Sequence, residues 1–199
     1  MKKWLIFVVI FAVILLTYMM IRGASNAYDE YSGEVQESVE PPSRYLLWQE
    51  FEAPSGMFTL TFPGVPQYIT EVERDDIGLI ERTNEIYVSE TESGSIYVLN
   101  FIRFHTDDNE LPLPVEKLLN NVMHEMIDAR DGNRLSGFKK REFLGKEALE
   151  YAIKNGNIHM EVLTFVENND LYVLSEISDH SNYTEADFDH FINSFRFNY

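Results

Sequence analysis

The stretch that decides the fold of this chain is Ser95–Phe104, with the sequence SIYVLNFIRF. Its aromatic and β-branched residues predict a β-strand. Both sides of that strand are apolar, one with Tyr97, Leu99 and Phe101 and the other with Ile96, Val98, Ile102 and Phe104. A strand that is apolar on both faces has to be covered on both faces. We therefore predict an α+β fold in which an antiparallel sheet is sandwiched between helices (α/β/α).

Strands are also predicted before this stretch. In Phe58–Phe62, Phe and Leu alternate with Thr, which is typical of a strand with one face in the core. The prolines of Pro63–Pro66 end it, because proline cannot donate to a strand ladder. A longer strand is predicted at Gly78–Ser89, joined to the deciding stretch by the turn residues Glu90–Gly94.

Helices that can cover the sheet are visible in the sequence. Apolar residues between Val115 and Ile127 follow the spacing of a broad helical stripe, with Pro114 in the first turn and Gly132 at the end. Near the C-terminus, Thr184 and Asp187 resemble a capping box. They precede a short apolar face formed by Phe188, Phe191, Ile192 and Phe195.

Between these helices we predict an antiparallel meander of four strands: Leu135–Leu144, Glu147–Lys154, Ile158–Val166 and Leu171–Ser178. Asn155-Gly156 is the strongest hairpin signal of the chain, because both residue types accept a positive φ in a two-residue turn. Asn168–Asp170 closes the next hairpin.

Several short motifs resemble a known group of domains: Phe51 with Gly56, the run Met57–Pro66, Leu144–Tyr151, Leu171–Leu174 and Phe191–Phe195. Together they are similar to the opening hairpin, the central strand pair and the closing strand and helix of the PsbP-like fold family. This family includes exported bacterial DcrB-like and PsbP-like domains. The resemblance would cover about Phe51–Phe197. It implies an antiparallel sheet between helices and an accessory or binding role rather than catalysis.

The chain departs from the lipoproteins of this group because it contains no Cys and therefore no lipid attachment site. Trp4–Ile21 would replace the lipid. These eighteen residues are apolar and uncharged, and as a helix they would span roughly 27 Å, close to the thickness of the bilayer hydrocarbon. A cleaved secretory signal remains the alternative, since Ser25–Ala27 offers small residues.

The charges around Trp4–Ile21 predict its orientation. Lys2 and Lys3 precede it, only Arg22 follows it closely, and so the N-terminus is expected in the cytoplasm of a bacterium. We predict an anchor or uncleaved signal at 1–22, a disordered acidic linker at 23–44 and an extracytoplasmic, periplasmic domain at 45–199. The membrane is then one partner, and a protein of the cell envelope is expected as another.

The exported part is strongly acidic. Three of the 16 basic residues flank the apolar run, which leaves 13 basic residues against 33 acidic ones. Such a surface repels nucleic acid, so no nucleic-acid partner is predicted. Without Cys, thiol catalysis and thiolate metal sites are excluded.

The histidines suggest no site by spacing alone. His124 lies on a solvated helix face, and His159 is expected to serve packing in a strand. His180 and His190 lie near Asp179, Asp187 and Asp189 in the densest polar cluster, but only His190 and Asp187 have helix spacing that brings them together. The loop His105–Glu110 lacks the ligand pattern of a calcium site.

No nucleophile elbow, phosphate loop, dinucleotide fingerprint or zinc-protease motif is present. We therefore predict no catalytic residue, no metal ligand and no cofactor, and a membrane-anchored, non-enzymatic binding module. The alternatives are a hydrolase-like enzyme whose site is assembled from scattered residues, or a module that responds to divalent cations. The oligomeric state is left open.

Lys139, Lys140 and Arg141 form the main basic concentration in this acidic domain. They are our candidate partner-binding residues. The alternative is a solvated strand edge that lysine protects from pairing with other sheets. Replacing all three by Glu is expected to weaken partner capture without changing thermal unfolding.

Overall fold

A computed structural model of the chain describes residues 45–74, 81–105 and 113–198. A small sheet consists of β1 (Gln49–Glu52), β2 (Phe58–Phe62) and β10 (Arg196–Phe197). A large sheet consists of β3 (Gln67–Arg74), β4 (Glu81–Glu90), β5 (Ile96–His105), β6 (Arg134–Phe143), β7 (Lys146–Asn155), β8 (Ile158–Glu167) and β9 (Asp170–Asp179). The helices are α1 (Val115–Asp128) and α2 (Glu185–Asn193).

The large sheet has seven strands in the order β3-β4-β5-β9-β8-β7-β6, and every neighbouring pair is antiparallel. Strand β5 is buried along its length except at Arg103 and His105. This confirms the expectation that Ser95–Phe104 is covered on both faces. Strands β3 and β6 form the two edges of the sheet among the described residues.

The layers on the two faces of the large sheet differ. Helix α1 packs on β7 and β8 and shares a buried cluster with Leu149, Tyr151 and Val162. On the opposite face, α2 and the small sheet share one aromatic cluster with Tyr97, Phe101 and Tyr172. We call this second side the inner face.

The predicted sandwich between helices is therefore confirmed only in part, because the inner face is covered by a helix together with a second sheet. A nine-residue helix is roughly 14 Å long, whereas seven strands at about 4.8 Å each make a much wider surface. Strand β2 supplies the missing cover. Its residues Phe58, Leu60 and Phe62 are fully buried, as their alternation with Thr predicts.

Both helices lie where the sequence predicts them, with small differences at the ends. Pro114 is the residue before α1 and not part of its first turn, since its ψ of 143° is extended. Gly132 follows the helix in a separate turn with φ +90°. At α2, Thr184 accepts a hydrogen bond from the backbone N–H of Asp187, which confirms the predicted cap.

The four strands of the meander agree with the prediction to within about one residue. Strands β1, β3 and β10 were not predicted. The turn between β7 and β8 is centred on Gly156 and Asn157 and not on Asn155-Gly156. Asn155 belongs to β7, and its side-chain amide donates to the backbone oxygen of Asp131 and to Oδ1 of Asn133.

In the next hairpin the two central residues, Asn168 and Asn169, both have positive φ, and Asp170 already pairs with Glu167.

Neither described helix is long and apolar enough to cross a bilayer. The predicted anchor Trp4–Ile21, the linker 23–44 and most of the loop His105–Glu110 lie outside the described residues.

Candidate functional site

Strand β6 is an edge of the large sheet and contains the three candidate partner-binding residues. It pairs with β7, and no strand of the described residues lies on its outer side. Seven consecutive residues from Arg134 to Lys140 are exposed. The register shifts between Leu135 and Gly137, so that Ser136 forms a bulge. A bulge and lysines are features with which edge strands avoid uncontrolled pairing.

The structure divides the three cations between the two faces of the sheet. Lys139 and Arg141 lie on the inner face, where both bind Glu150 of β7. The distances are 2.6 Å from Lys139 Nζ to Glu150 Oε1 and 2.5 Å from Arg141 Nη1 to Oε2. Lys140 lies on the other face and contacts Glu116 of α1 at 2.5 Å.

These ion pairs shift the pKa values of their members in the direction that favours the charged forms. The hydrogen bond to Glu150 raises the pKa of Lys139, and the hydrogen bond to Glu116 raises that of Lys140. Lys140 in turn lowers the pKa of Glu116. Replacing the cations by Glu would bring new carboxylates against Glu150, so we now expect that reversal to lower stability as well. The charge reversal would therefore not separate an effect on partner binding from an effect on stability.

Glu150 is one of three carboxylates in adjacent strands on the inner face, of which Glu150 and Glu176 are buried and Glu161 is partly buried. Glu176 of β9 lies directly opposite Glu161 of β8, and Glu150 of β7 lies diagonal to Glu161. We call these three residues the acidic row. Lys139 and Arg141 bind Glu150, His159 and Tyr183 lie within hydrogen-bond distance of Glu161, and Glu176 lies directly opposite Tyr97 of β5.

His159 is buried in β8, two residues before Glu161 of the acidic row. Its Nε2 lies 3.0 Å from Oε2 of Glu161, and its ring packs on Tyr183 with centroids 3.9 Å apart. The predicted packing role is therefore accompanied by a hydrogen bond. Burial is the main reason why the pKa values of Tyr183 and Tyr97 are raised, so both phenols stay protonated and can donate to carboxylates.

The other histidines are dispersed. His124 is exposed on α1, as predicted. His180 lies near His159, with ring centroids 6.0 Å apart, whereas His190 stacks on Tyr45 at 3.9 Å. The polar cluster predicted around His180 and His190 is thus not one site. His105 contacts the Thr83 hydroxyl at 2.9 Å.

Within the described ranges, no group of His, Asp and Glu has the geometry to hold a metal ion. Two carboxylates of the acidic row have a clear structural role, since Glu150 binds cations of the neighbouring strand β6, and Glu161 binds His159 of its own strand and Tyr183 of the segment before α2. Glu150 thereby ties the exposed edge strand β6 to its neighbour β7. The outer edge of β6 and the side chains around it are not used by the acidic row and can contact a partner.

The acidic row was not predicted from the sequence, although two signals in it pointed to these residues. Glu150 interrupts the apolar strand ALEYAI at residues 148–153, and a lone carboxylate there requires a paired cation. His159 and Glu161 are two residues apart in a strand and hence share a face. The first signal does not identify the cations that bind Glu150, because these come from another strand.

No protein-family model and no curated protein sequence matches this chain. Among solved structures, the chain is similar to the solution structure of cyanobacterial PsbP (CyanoP) from Synechocystis. The sequence identity is 15%, the TM-score is 0.45, and the match covers 83% of this chain and 99% of that one. The similarity concerns the fold alone.

Proposed function

We propose that this chain is a non-catalytic accessory module of the bacterial cell envelope. In this proposal Trp4–Ile21 anchors the chain in the cytoplasmic membrane with its N-terminus inside. The linker 23–44 then presents the domain on the extracytoplasmic side, where it binds a protein partner through strand β6. The charge distribution around the apolar run supports the orientation.

The observation that carries the proposal is the open edge of β6. This strand has ten residues, and one side of its backbone has no neighbouring strand in the described part of the chain. Phe138 is 59% exposed in the middle of it. An open edge with a central aromatic side chain is suited to strand addition, in which backbone hydrogen bonds supply affinity and side chains supply specificity.

Photo-crosslinking in intact cells tests the binding surface. A photoreactive amino acid would replace Phe138 in one variant and Val72 in a matched control. Val72 is 64% exposed on β3, the opposite edge of the same sheet. We expect a reproducible adduct from position 138 and none from position 72. Equal adducts from both positions, or none from position 138, would contradict a role for the β6 edge.

A reporter fused after Tyr199 tests the compartment. A reporter active only outside the cytoplasm supports the predicted orientation, whereas activity confined to the cytoplasm excludes it. Washing membranes with high salt separates an anchored chain from a released one, because a spanning helix resists extraction.

A further inference from the structure

Strand β6 concentrates positive charge in an acidic protein. It contains Arg134, Lys139, Lys140 and Arg141 but only one acidic residue, Glu142. Three of these cations bind carboxylates of the same domain. The fourth, Arg134, forms no ion pair with a carboxylate of the described residues.

Arg134 lies directly opposite Lys154 of β7, and both side chains are exposed. Neither forms an ion pair with any residue of the described ranges. Like charges directly opposite each other on neighbouring strands destabilise a sheet. Two unpaired cations held together in this way form a site where an added carboxylate would relieve the repulsion.

The two faces of the edge differ in chemistry. The inner face presents Arg134, Lys139 and Lys154, separated by the small residues Gly137 and Ala152, which face each other. On the α1 face, the bulge at Ser136 brings Leu135 and Phe138 to the same side, where they are 37% and 59% exposed. We call the three cations with Leu135 and Phe138 the edge surface.

We infer that the edge surface binds an extended segment of a partner protein in which acidic and apolar residues alternate. This inference rests on the proposed function. A strand added to β6 directs successive side chains to opposite faces. Its acidic residues then face the inner cations, and its apolar residues cover Leu135 and Phe138.

The overall charge of the exported part restricts the partner to a short segment. A large polyanion such as nucleic acid or an anionic membrane would be repelled by the many carboxylates elsewhere on the domain. A short peptide on β6 is within reach of the local cations, while more distant charges are screened beyond about 8–10 Å at physiological salt.

Binding of synthetic peptides to the full-length chain in detergent tests the inference. The probe is a peptide of alternating Glu and Val, and the first control contains the same residues as a Glu block followed by a Val block. A second control replaces Glu by Lys, and a third has N-methylated backbone amides, which cannot donate to a strand. We expect binding of the alternating peptide only, with weaker binding as salt is raised.

Variants of the chain show whether the named cations are responsible. R134A and K154A remove unpaired cations, so the fold is retained, and together they should weaken peptide binding about three- to ten-fold. K117A is the matched control, because Lys117 is an exposed lysine on α1 outside the edge surface. It should leave binding unchanged.

Several outcomes would overturn the inference. They are no binding of the alternating peptide, equal binding of the block or Lys peptides, equal loss in K117A, or formation of a dimer through β6. Binding to anionic lipid vesicles that is lost in K154A, without peptide binding, would assign the edge surface to the membrane instead. A crosslink at position 138 without peptide binding would retain the proposed function and reject this partner class.

Discussion

Arg141 donates a hydrogen bond from Nη1 to Oε2 of Glu150 across the outermost strand pair of the large sheet, over 2.5 Å. The same carboxylate binds Lys139 through its other oxygen at 2.6 Å. Glu150 is 8% exposed, and it is therefore a largely desolvated anion that needs both cations. The edge strand is bound to the sheet by this shared carboxylate as well as by its backbone.

The first prediction concerns the two glutamates that bind the β6 cations. Glu150→Ala leaves Lys139 and Arg141 without their counterion next to a buried strand, so we expect a loss of about 1–3 kcal/mol in the free energy of unfolding. Glu116→Ala removes the exposed partner of Lys140 and should cost much less, because solvent screens an exposed ion pair. Urea denaturation measures both. Similar losses in the two variants would show that burial of Glu150 does not determine its contribution.

The second prediction concerns pH. Burial raises the pKa of Asp170 from 3.8 to about 6, although Arg103, whose Nε lies 3.6 Å away, acts to lower it. The folded state therefore holds this proton more tightly than the unfolded state does. The contribution of Asp170 to the free energy of unfolding should fall as pH rises from about 4 to about 6, because the neutral form is the one that folding favours.

Asp170→Asn should remove this decline. The difference in unfolding free energy between the variant and the unmodified chain should change by up to about 1.4 kcal/mol per pH unit within that window. Above it the difference should be constant. Asp128→Asn, at the exposed end of α1, is the control and should follow the unmodified chain. A D170N profile parallel to that of the unmodified chain would refute the assignment.

The third prediction concerns the turn between β6 and β7. Leu144 has φ 51°, a left-handed conformation that Asn adopts more readily than Leu. The Leu144 side chain is 48% exposed, so little apolar burial is lost on substitution. Leu144→Asn should therefore raise the free energy of unfolding by roughly 0.5–1 kcal/mol.

Val65→Asn is the matched control for this turn. Val65 is 78% exposed, and its φ is not positive, so the same exchange has no backbone strain to relieve. Thermal unfolding of the two variants compares them directly. A destabilised L144N would mean that the Leu144 side chain contributes contacts that outweigh its conformational strain.

Local patterns were sufficient to predict the central part of the fold. Strand β5 carries apolar residues on both faces, and the hairpins of the meander contain Gly or Asn at the positions of positive φ, with Leu144 as the exception. Such signals lie within a few residues of the structure that they determine. Strand β3 lacks them, because its apolar residues Tyr68, Ile69 and Val72 fit no single period.

The candidate site could be predicted only in part, because its contacts join residues that are distant in the sequence. The charge of Lys139–Arg141 is visible in the sequence, but its neutralisation depends on which face each side chain occupies. Glu150 is in the adjacent strand and Glu116 in a helix on the other side of the sheet. The bulge at Ser136, which brings Leu135 and Phe138 to one face, likewise depends on the pairing of β6 with β7.

The last prediction concerns the contact of α1 with the sheet. The hydroxyl of Tyr151 in β7 donates to the sulfur of Met126 in α1 at 3.0 Å, and Tyr151 is fully buried. Burial also raises the pKa of this phenol, so it stays protonated. A thioether is a weak acceptor, yet it is the acceptor that the structure provides for this buried donor.

The two partners should therefore respond unequally to substitution. Met126→Leu removes the acceptor and leaves the phenol hydroxyl desolvated, which should cost about 1–3 kcal/mol, whereas Tyr151→Phe removes the donor itself and should cost less than about 1 kcal/mol. The double variant should be no less stable than Tyr151→Phe alone, because neither polar group then remains. Urea denaturation of the four proteins gives the coupling energy. If Met126→Leu costs no more than the double variant, then the sulfur is not a required acceptor, and α1 is held on the sheet by apolar packing alone.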